Sequence, residues 1–197
     1  MSHLLLSILI PAAGASTRLG QAKQLVHYKS GPLIQNAVNR ADSIGPLEII
    51  VITGANAKAV TEAVHQSPVR WIHNPDWSAG MGSSIAAGAA GINPVSSGVM
   101  ILLCDQWRLQ TSDLQALAKA WRSAPERIAI AEAGGRYMPP VIFPSTFFKR
   151  LQQLKGDQGA RSLIKAHADL ITAVAMQNAA VDLDNQDHFN HLKNTGL

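Results

Sequence analysis

Two cations, Arg18 and Lys23, stand in a stretch otherwise built from small residues, Ala12-Ala13-Gly14-Ala15-Ser16-Thr17, with Gly20 between them. Small residues let a backbone come close to a ligand, and N–H groups exposed in such a turn attract anions. Arginine grips phosphate oxygens as a fork, while lysine acts as a mobile point charge. The apolar run just before, Leu4 to Ile10, reads as a buried strand. Strand, glycine-bearing turn and two cations together describe a triphosphate cradle, with Ala12, Ala13, Gly14, Ser16, Arg18 and Lys23 as its candidate residues. The bland alternative is a strand-to-helix turn with incidental surface cations. Two familiar phosphate loops are excluded by spacing. Gly20 leads to Gln21 rather than to the lysine of G-x-x-x-x-G-K-[ST], and Ser16 occupies the second glycine position of G-x-G-x-x-G.

Three later segments carry further chemistry. In His73-Asn74-Pro75-Asp76-Trp77-Ser78-Ala79-Gly80-Met81-Gly82-Ser83-Ser84, Gly80 and Gly82 permit a backbone that meets a base edge, and Ser83 and Ser84 open a helix. Helix capping is the simpler role for those serines. Asp105 follows the apolar run Gly98 to Leu103, and a carboxylate at the carboxyl end of a central strand suits a hard cation such as magnesium. Thr111-Ser112-Asp113 is the better cap candidate for the helix after it. Near the chain's end, alternation places Asp182 and Asp184 on one face of a short strand, close enough to share a cation.

The run Ala12-Ala13-Gly14-x-Ser16-x-Arg18-x-Gly20-x-x-Lys23-Gln24-Leu25 resembles the signature of the MobA-like nucleotidyltransferases that make molybdenum-cofactor dinucleotides. It is most similar to the CTP:molybdopterin cytidylyltransferase branch, since Ala13 stands where guanylyl-transferring relatives carry a second glycine. Asn74-Pro75 with Gly80 and Ser84 is similar to the family segment that reads base and ribose. Asp105 matches the metal-binding aspartate, with Trp107 in the place of the usual proline. Gly156-Asp157-x-Gly159-Ala160-Arg161 is similar to a further motif, in which Arg161 meets an anion or solvates. Val181 to Asp187 resembles the closing Asp-x-Asp-Thr-Pro-Glu-Asp, and Met138-Pro139-Pro140 replaces the common Gly-x-Pro. The resemblance implies magnesium-dependent transfer of a cytidylyl group from CTP to a molybdopterin-type phosphate acceptor, with Arg18, Lys23 and Asp105 catalytic. Asp105, Asp182 and Asp184 are then the metal ligands, and a molybdoenzyme the downstream partner. A different phosphate acceptor, or a non-catalytic carrier of the cofactor, stays open.

The elements that must position these residues are legible in period. Leu33, Ile34, Ala37, Val38 and Ala41 recur at helical spacing, as do Ala59, Val60, Ala63 and Val64, and Leu114, Leu117, Ala118 and Trp121. Leu47 to Thr53, Val69 to Ile72, Gly98 to Leu103 and Ile128 to Ala131 are apolar runs of strand length. Such alternation predicts a three-layer α/β/α sandwich around a mostly parallel, Rossmann-like sheet, which the resemblance makes nucleotide-diphospho-sugar transferase type. No repeat or linker interrupts it, so one domain over residues 1–197 is expected. With 47% hydrophobic and 15% charged residues the chain is globular, and its net charge of +4 is scattered, not blocked as in a nucleic-acid footprint. Aromatic residues, at 5%, are too few for base-stacking platforms. Cys104 is the single cysteine, which excludes an internal disulfide. The first apolar run is far too short to span a membrane, so a cytoplasmic location is expected.

Overall fold

The computed structural model describes residues 4–183. Strand β1 (Leu6–Pro11) is buried along its whole length, as its continuous apolar run demands. A two-stranded hairpin, β2 (His27–Tyr28) and β3 (Gly31–Pro32), leads into α1 (Leu33–Asp42). Then follow β4 (Glu48–Thr53), α2 (Ala57–Ala63), β5 (Arg70–His73), α3 (Met81–Ala90), β6 (Gly98–Ile101) and α4 (Thr111–Ser123). The last third contributes β7 (Ile128–Ala133), β8 (Arg136–Pro144), α5 (Phe148–Leu151), α6 (Arg161–Ala166) and β9 (Ile171–Ala175).

The main sheet has seven strands in the order β5-β4-β1-β6-β8-β7-β9. Every pairing is parallel except those of β8, which runs antiparallel to both β6 and β7. Successive side chains of a strand face opposite sides, and two cores result. Ile8, Ile10, Val51, Met100 and Ala129 join α1, α2 and α4 on one face. Leu9, Ile50, Ile52, Ile101 and Phe143 join α3, α5 and α6 on the other. The three expected layers are therefore present, and the sheet is mostly parallel.

Pairing continues past the central strands. Ala12 N–H donates to the Ile52 carbonyl at 2.8 Å and Leu102 N–H to the Leu9 carbonyl at 3.0 Å. The carboxyl ends of β1 and β6 thus reach the same edge of the sheet side by side, where ligands of open α/β sheets bind.

Three local expectations change. Helix α3 begins at Met81 with Gly80 before it, so Ser83 and Ser84 lie inside its first turn and do not cap it. Helix α4 is capped at Gln110, and Asp113 serves as the third helical residue, its carboxylate accepting the Gln110 N–H at 2.8 Å. Val181 to Leu183 is not a strand: the Leu183 N–H is spent on the Asp105 carbonyl at 3.1 Å instead of a ladder. Asp184 and Asp187 lie outside the described residues.

Trp121 of α4 is fully buried, and it lies over Gly98 so closely that a Cβ there would sit 2.4 Å from its ring. Trp121→Ala removes this filling and leaves a cavity beneath the central strands. We expect about 3–5 kcal/mol of lost stability in urea unfolding, with the fold retained.

Candidate functional site

The loop after β1 turns sharply at Ser16, whose φ of 55° and ψ of 41° are left-handed. Its Oγ accepts the Lys23 N–H at 3.2 Å, which ties the turn to the residues that carry the second cation. Gln24 lies behind the turn, with Nε2 donating to the carbonyls of Ala12 (3.1 Å) and Gly14 (2.8 Å). From the neighbouring strand end, the Ala55 N–H donates to the Ala13 carbonyl at 3.0 Å. Only a hydrogen fits at Gly54, where a Cβ would stand 2.6 Å from Trp77 and 2.7 Å from that same carbonyl.

Asp105 is 6% exposed, at the end of the chain segment leaving β6. Lys23 Nζ donates to its Oδ2, so residues 82 positions apart form an ion pair. Its Oδ1 is buried with no hydrogen-bond partner among the described residues. A carboxylate oxygen left over beside a cavity fits a hard cation. Among the described residues, however, no three His, Cys, Asp or Glu side chains cluster as a metal site. A cation at Asp105 would therefore complete its shell with water and ligand phosphates, as magnesium does.

These elements enclose a cavity of about 380 Å³. Ala13, Gly14, Ser16, Arg18 and Lys23 form one side, and Asp105 adjoins them. Arg18 is exposed at the rim. Gly80 and Ser84 stand on the opposite wall with Trp77 and Asp157. Ala12, Gly82 and Ser83 do not line it. Ala12 is held in the sheet extension. Gly82 donates its N–H to the Gly156 carbonyl at 2.8 Å, and the single hydroxyl hydrogen of Ser83 has the carbonyls of Asp76 and Gly80, each 2.9 Å from Oγ, as its acceptors. They support the wall from behind instead of lining the cavity. Asp182 precedes Leu183, which does line the cavity, and so stands beside Asp105 in the chain path without being part of the lining.

Trp107 fills the proline position as a pillar. It is 3% exposed, packs edge-on against Tyr28 with centroids 4.9 Å apart, and joins Leu19, Leu33 and Leu183 in a third cluster under the loop. Gln24 and Asp157, neither of them a candidate from the sequence, also line the cavity. Gln24 sat inside the quoted signature and Asp157 inside the Gly-Asp-x-Gly-Ala-Arg motif, but only folding shows that both reach the cavity.

The model of the MobA-like NTP transferase domain matches residues 8–170. The chain belongs to that family. Nicotine blue oxidoreductase of Paenarthrobacter nicotinovorans is 31% identical over 172 residues, 83% of each chain. The purine catabolism protein PucB of Bacillus subtilis is 32% identical over 184 residues, 89% of this chain and 88% of PucB. Molybdenum cofactor cytidylyltransferase of Escherichia coli is 32% identical over 80 residues, 40% of this chain and 41% of that one. Among solved structures, a Mycobacterium tuberculosis H37Rv protein superposes with a TM-score of 0.84 at 23% identity, covering 97% of this chain and 98% of the other. The same protein has been solved as a manganese complex, TM-score 0.78 at 22% identity over 97% of this chain and 99% of that one. A nucleotidyl transferase from Methanothermobacter thermautotroptrophicus superposes at 0.81 with 18% identity, over 98% of this chain and 99% of that one. The MobA-like domain thus has the nucleotidyltransferase fold. No helix among its described residues is long and apolar enough to cross a membrane.

Cys104 lines the cavity, but its side chain is buried. Burial, with the Asp105 charge beside it, pushes its thiol up to about 12 from an ordinary 9.0. Because the folded value is the higher one, its contribution to stability is full below 9.0 and is lost as pH rises from there towards 12. We expect a thiol reagent at pH 8 to leave folded protein unlabelled and to label Cys104 in urea; labelling of the native state would contradict this burial.

Proposed function

We propose that this MobA-like domain is a magnesium-dependent cytidylyltransferase, moving a cytidylyl group from CTP to a molybdopterin-type phosphate acceptor. On this reading it works in the cytoplasm, as one domain over residues 1–197, without nucleic acid or membrane. What supports it most is the meeting of Lys23 from the first loop and Asp105 from the end of β6 in one cavity. An oxygen of the acceptor phosphate attacks the α-phosphorus of CTP. The bond to the β-phosphate oxygen breaks, and pyrophosphate leaves with that electron pair. The nucleophile is already an anion, so positioning and charge stabilisation carry the catalysis and no strong base is required. Lys23 and Arg18 neutralise the triphosphate and the departing pyrophosphate. Magnesium held by Asp105, with Asp182 or Asp184 beside it, would supply further neutralisation of phosphate oxygens. The manganese complex of the Mycobacterium tuberculosis protein supports a divalent cation on this fold. The Escherichia coli molybdenum cofactor cytidylyltransferase supports a cytidylyl group and the molybdenum cofactor; on this reading a molybdoenzyme receives the product.

Nicotine blue oxidoreductase, which matches more of the chain, favours a second reading, a reductase. Against it stands the first loop, whose two cations suit a triphosphate and which lacks the dinucleotide fingerprint. Pyrophosphate release across four nucleoside triphosphates, with and without molybdopterin, separates the readings. We expect acceptor-dependent release with CTP ahead of GTP, because Ala13 narrows the room beside a purine. Equal or better use of GTP would overturn the base assignment. Release with sugar phosphates alone would change the acceptor, and binding without turnover would make the protein a carrier. Nicotinamide-dependent dye reduction with no nucleotide consumed would establish the reductase.

Two substitutions probe the charge pair. Lys23→Ala should fold and lose about 2–4 kcal/mol of transition-state stabilisation in kcat/KM. Asp105→Asn, which keeps shape and removes charge, should lower turnover by about a hundredfold or more and shift magnesium dependence upward. Asp182→Asn should show the same signature more weakly. Activity within twofold of the parent removes the residue concerned from the site.

A further inference from the structure

We infer that Gln24 is a positioning residue that turns the main-chain amides of the first loop toward the nucleotide. The inference rests on the nucleotide-binding reading above. Gln24 is 1% exposed, and a polar side chain so buried calls for partners. Its Nε2 holds the Ala12 and Gly14 carbonyls, which uses both amide hydrogens. The carbonyl between them, on Ala13, is held by the Ala55 N–H. Three consecutive carbonyls are thereby pinned to the protein.

A trans peptide unit points its N–H opposite to its C=O. Pinning the carbonyls of residues 12, 13 and 14 therefore aims the N–H groups of Ala13, Gly14 and Ala15 away from their supports. Among the described residues none of these three N–H groups has an acceptor. All three residues line the cavity. Successive main-chain donors of this kind make a concave site for acceptor atoms.

Packing alone does not account for glutamine at this position. Its Oε1 is buried with no hydrogen-bond partner among the described residues. A methionine would fill similar space without that penalty, whereas only a donor can hold two carbonyls. Glutamate offers the same shape but, ionised, accepts only. The amide is there for its hydrogens, and through them for the loop. The acceptor atoms it serves belong to the base or to the phosphates of a nucleoside triphosphate.

The test compares parent, Gln24→Met and Gln24→Glu by calorimetric binding of CTP with magnesium, by steady-state kinetics and by thermal unfolding. Cytidine and inorganic pyrophosphate serve as separate probes, and the one whose binding weakens tells which half of the ligand the amides hold. We expect folded variants whose Kd and KM for CTP rise about tenfold or more while kcat stays within about threefold, the pattern of lost ground-state binding. A purely structural role would lower the unfolding temperature and leave Kd and KM in the folded fraction unchanged. Affinity within twofold of the parent in either folded variant overturns the inference. Failure of both variants to fold also overturns it, by assigning Gln24 to the core. A parent that binds another nucleoside triphosphate in place of CTP moves the test to that nucleotide, sinking the base assignment and leaving Gln24 to be judged. A parent that binds none removes both readings.

Discussion

A carboxylate almost out of water and an ammonium group beside it set the terms for the rest of this protein. At 6% exposure the Asp105 carboxylate has lost most of its water, and Lys23 stands in its place as a partner. Removing one member of such a pair leaves an uncompensated charge, at a cost of about 3–5 kcal/mol in buried settings. Lys23 retains more exposure than Asp105, which tempers that figure here. The pair also fixes geometry. It locks the loop leaving β1 to the segment leaving β6, and it can do so because the two strands are neighbours in a parallel sheet. In the proposed reaction a triphosphate and its cation replace both partners together, anionic oxygens for Lys23 and the metal for Asp105. The resting structure thus stores the ligand's charge pattern in the protein's own side chains.

Beneath this pair lies a small apolar platform separate from the two sheet cores. Leu19 comes from the loop, Tyr28 from the hairpin, Trp107 from the turn after Asp105, and Leu183 from the end of the described chain. The guanidinium of Arg108 lies 4.9 Å from the Trp107 ring and shields its outer face. Leu183 also donates its N–H to the Asp105 carbonyl, so the chain's last described segment straps across the same turn. The loop is therefore held from behind by Gln24 and from below by the platform, and its open side faces the cavity. A tryptophan in place of proline is no defect in this setting: it replaces a locally stiff turn with a packed one.

Much of this was legible before folding. Strand and helix periods separate cleanly in this chain because β1, β4 and β6 are covered on both faces and so mostly apolar, while α1 and α4 carry one apolar stripe each. Lys23 and Asp105 were each legible as site residues at one sheet edge, but their pairing with each other appears only in the fold. Helix starts were less legible. Ser83, Ser84 and Thr111 are good capping types, but Gly80 supplies a φ of 105° that opens α3 two residues before the serines, and Gln110 starts α4 with help from Asp113. Residues acting through space were least legible. Gln24 looks like a spacer beside Lys23 until the carbonyls of Ala12 and Gly14 turn toward it. Asp157 reaches the cavity only because Gly80 and Gly82 let its loop lie against the start of α3, where Cβ atoms would meet Gly156 and Lys155 at 2.6 Å. Neither approach leaves a periodic trace.

The most direct test is a crystal structure with a non-hydrolysable CTP analogue and manganese. We expect the metal within about 2.6 Å of an Asp105 carboxylate oxygen, phosphate oxygens completing its shell, and Lys23 Nζ moved from Asp105 onto the triphosphate. A bound nucleotide with the metal away from Asp105 and the Lys23–Asp105 contact intact would contradict it.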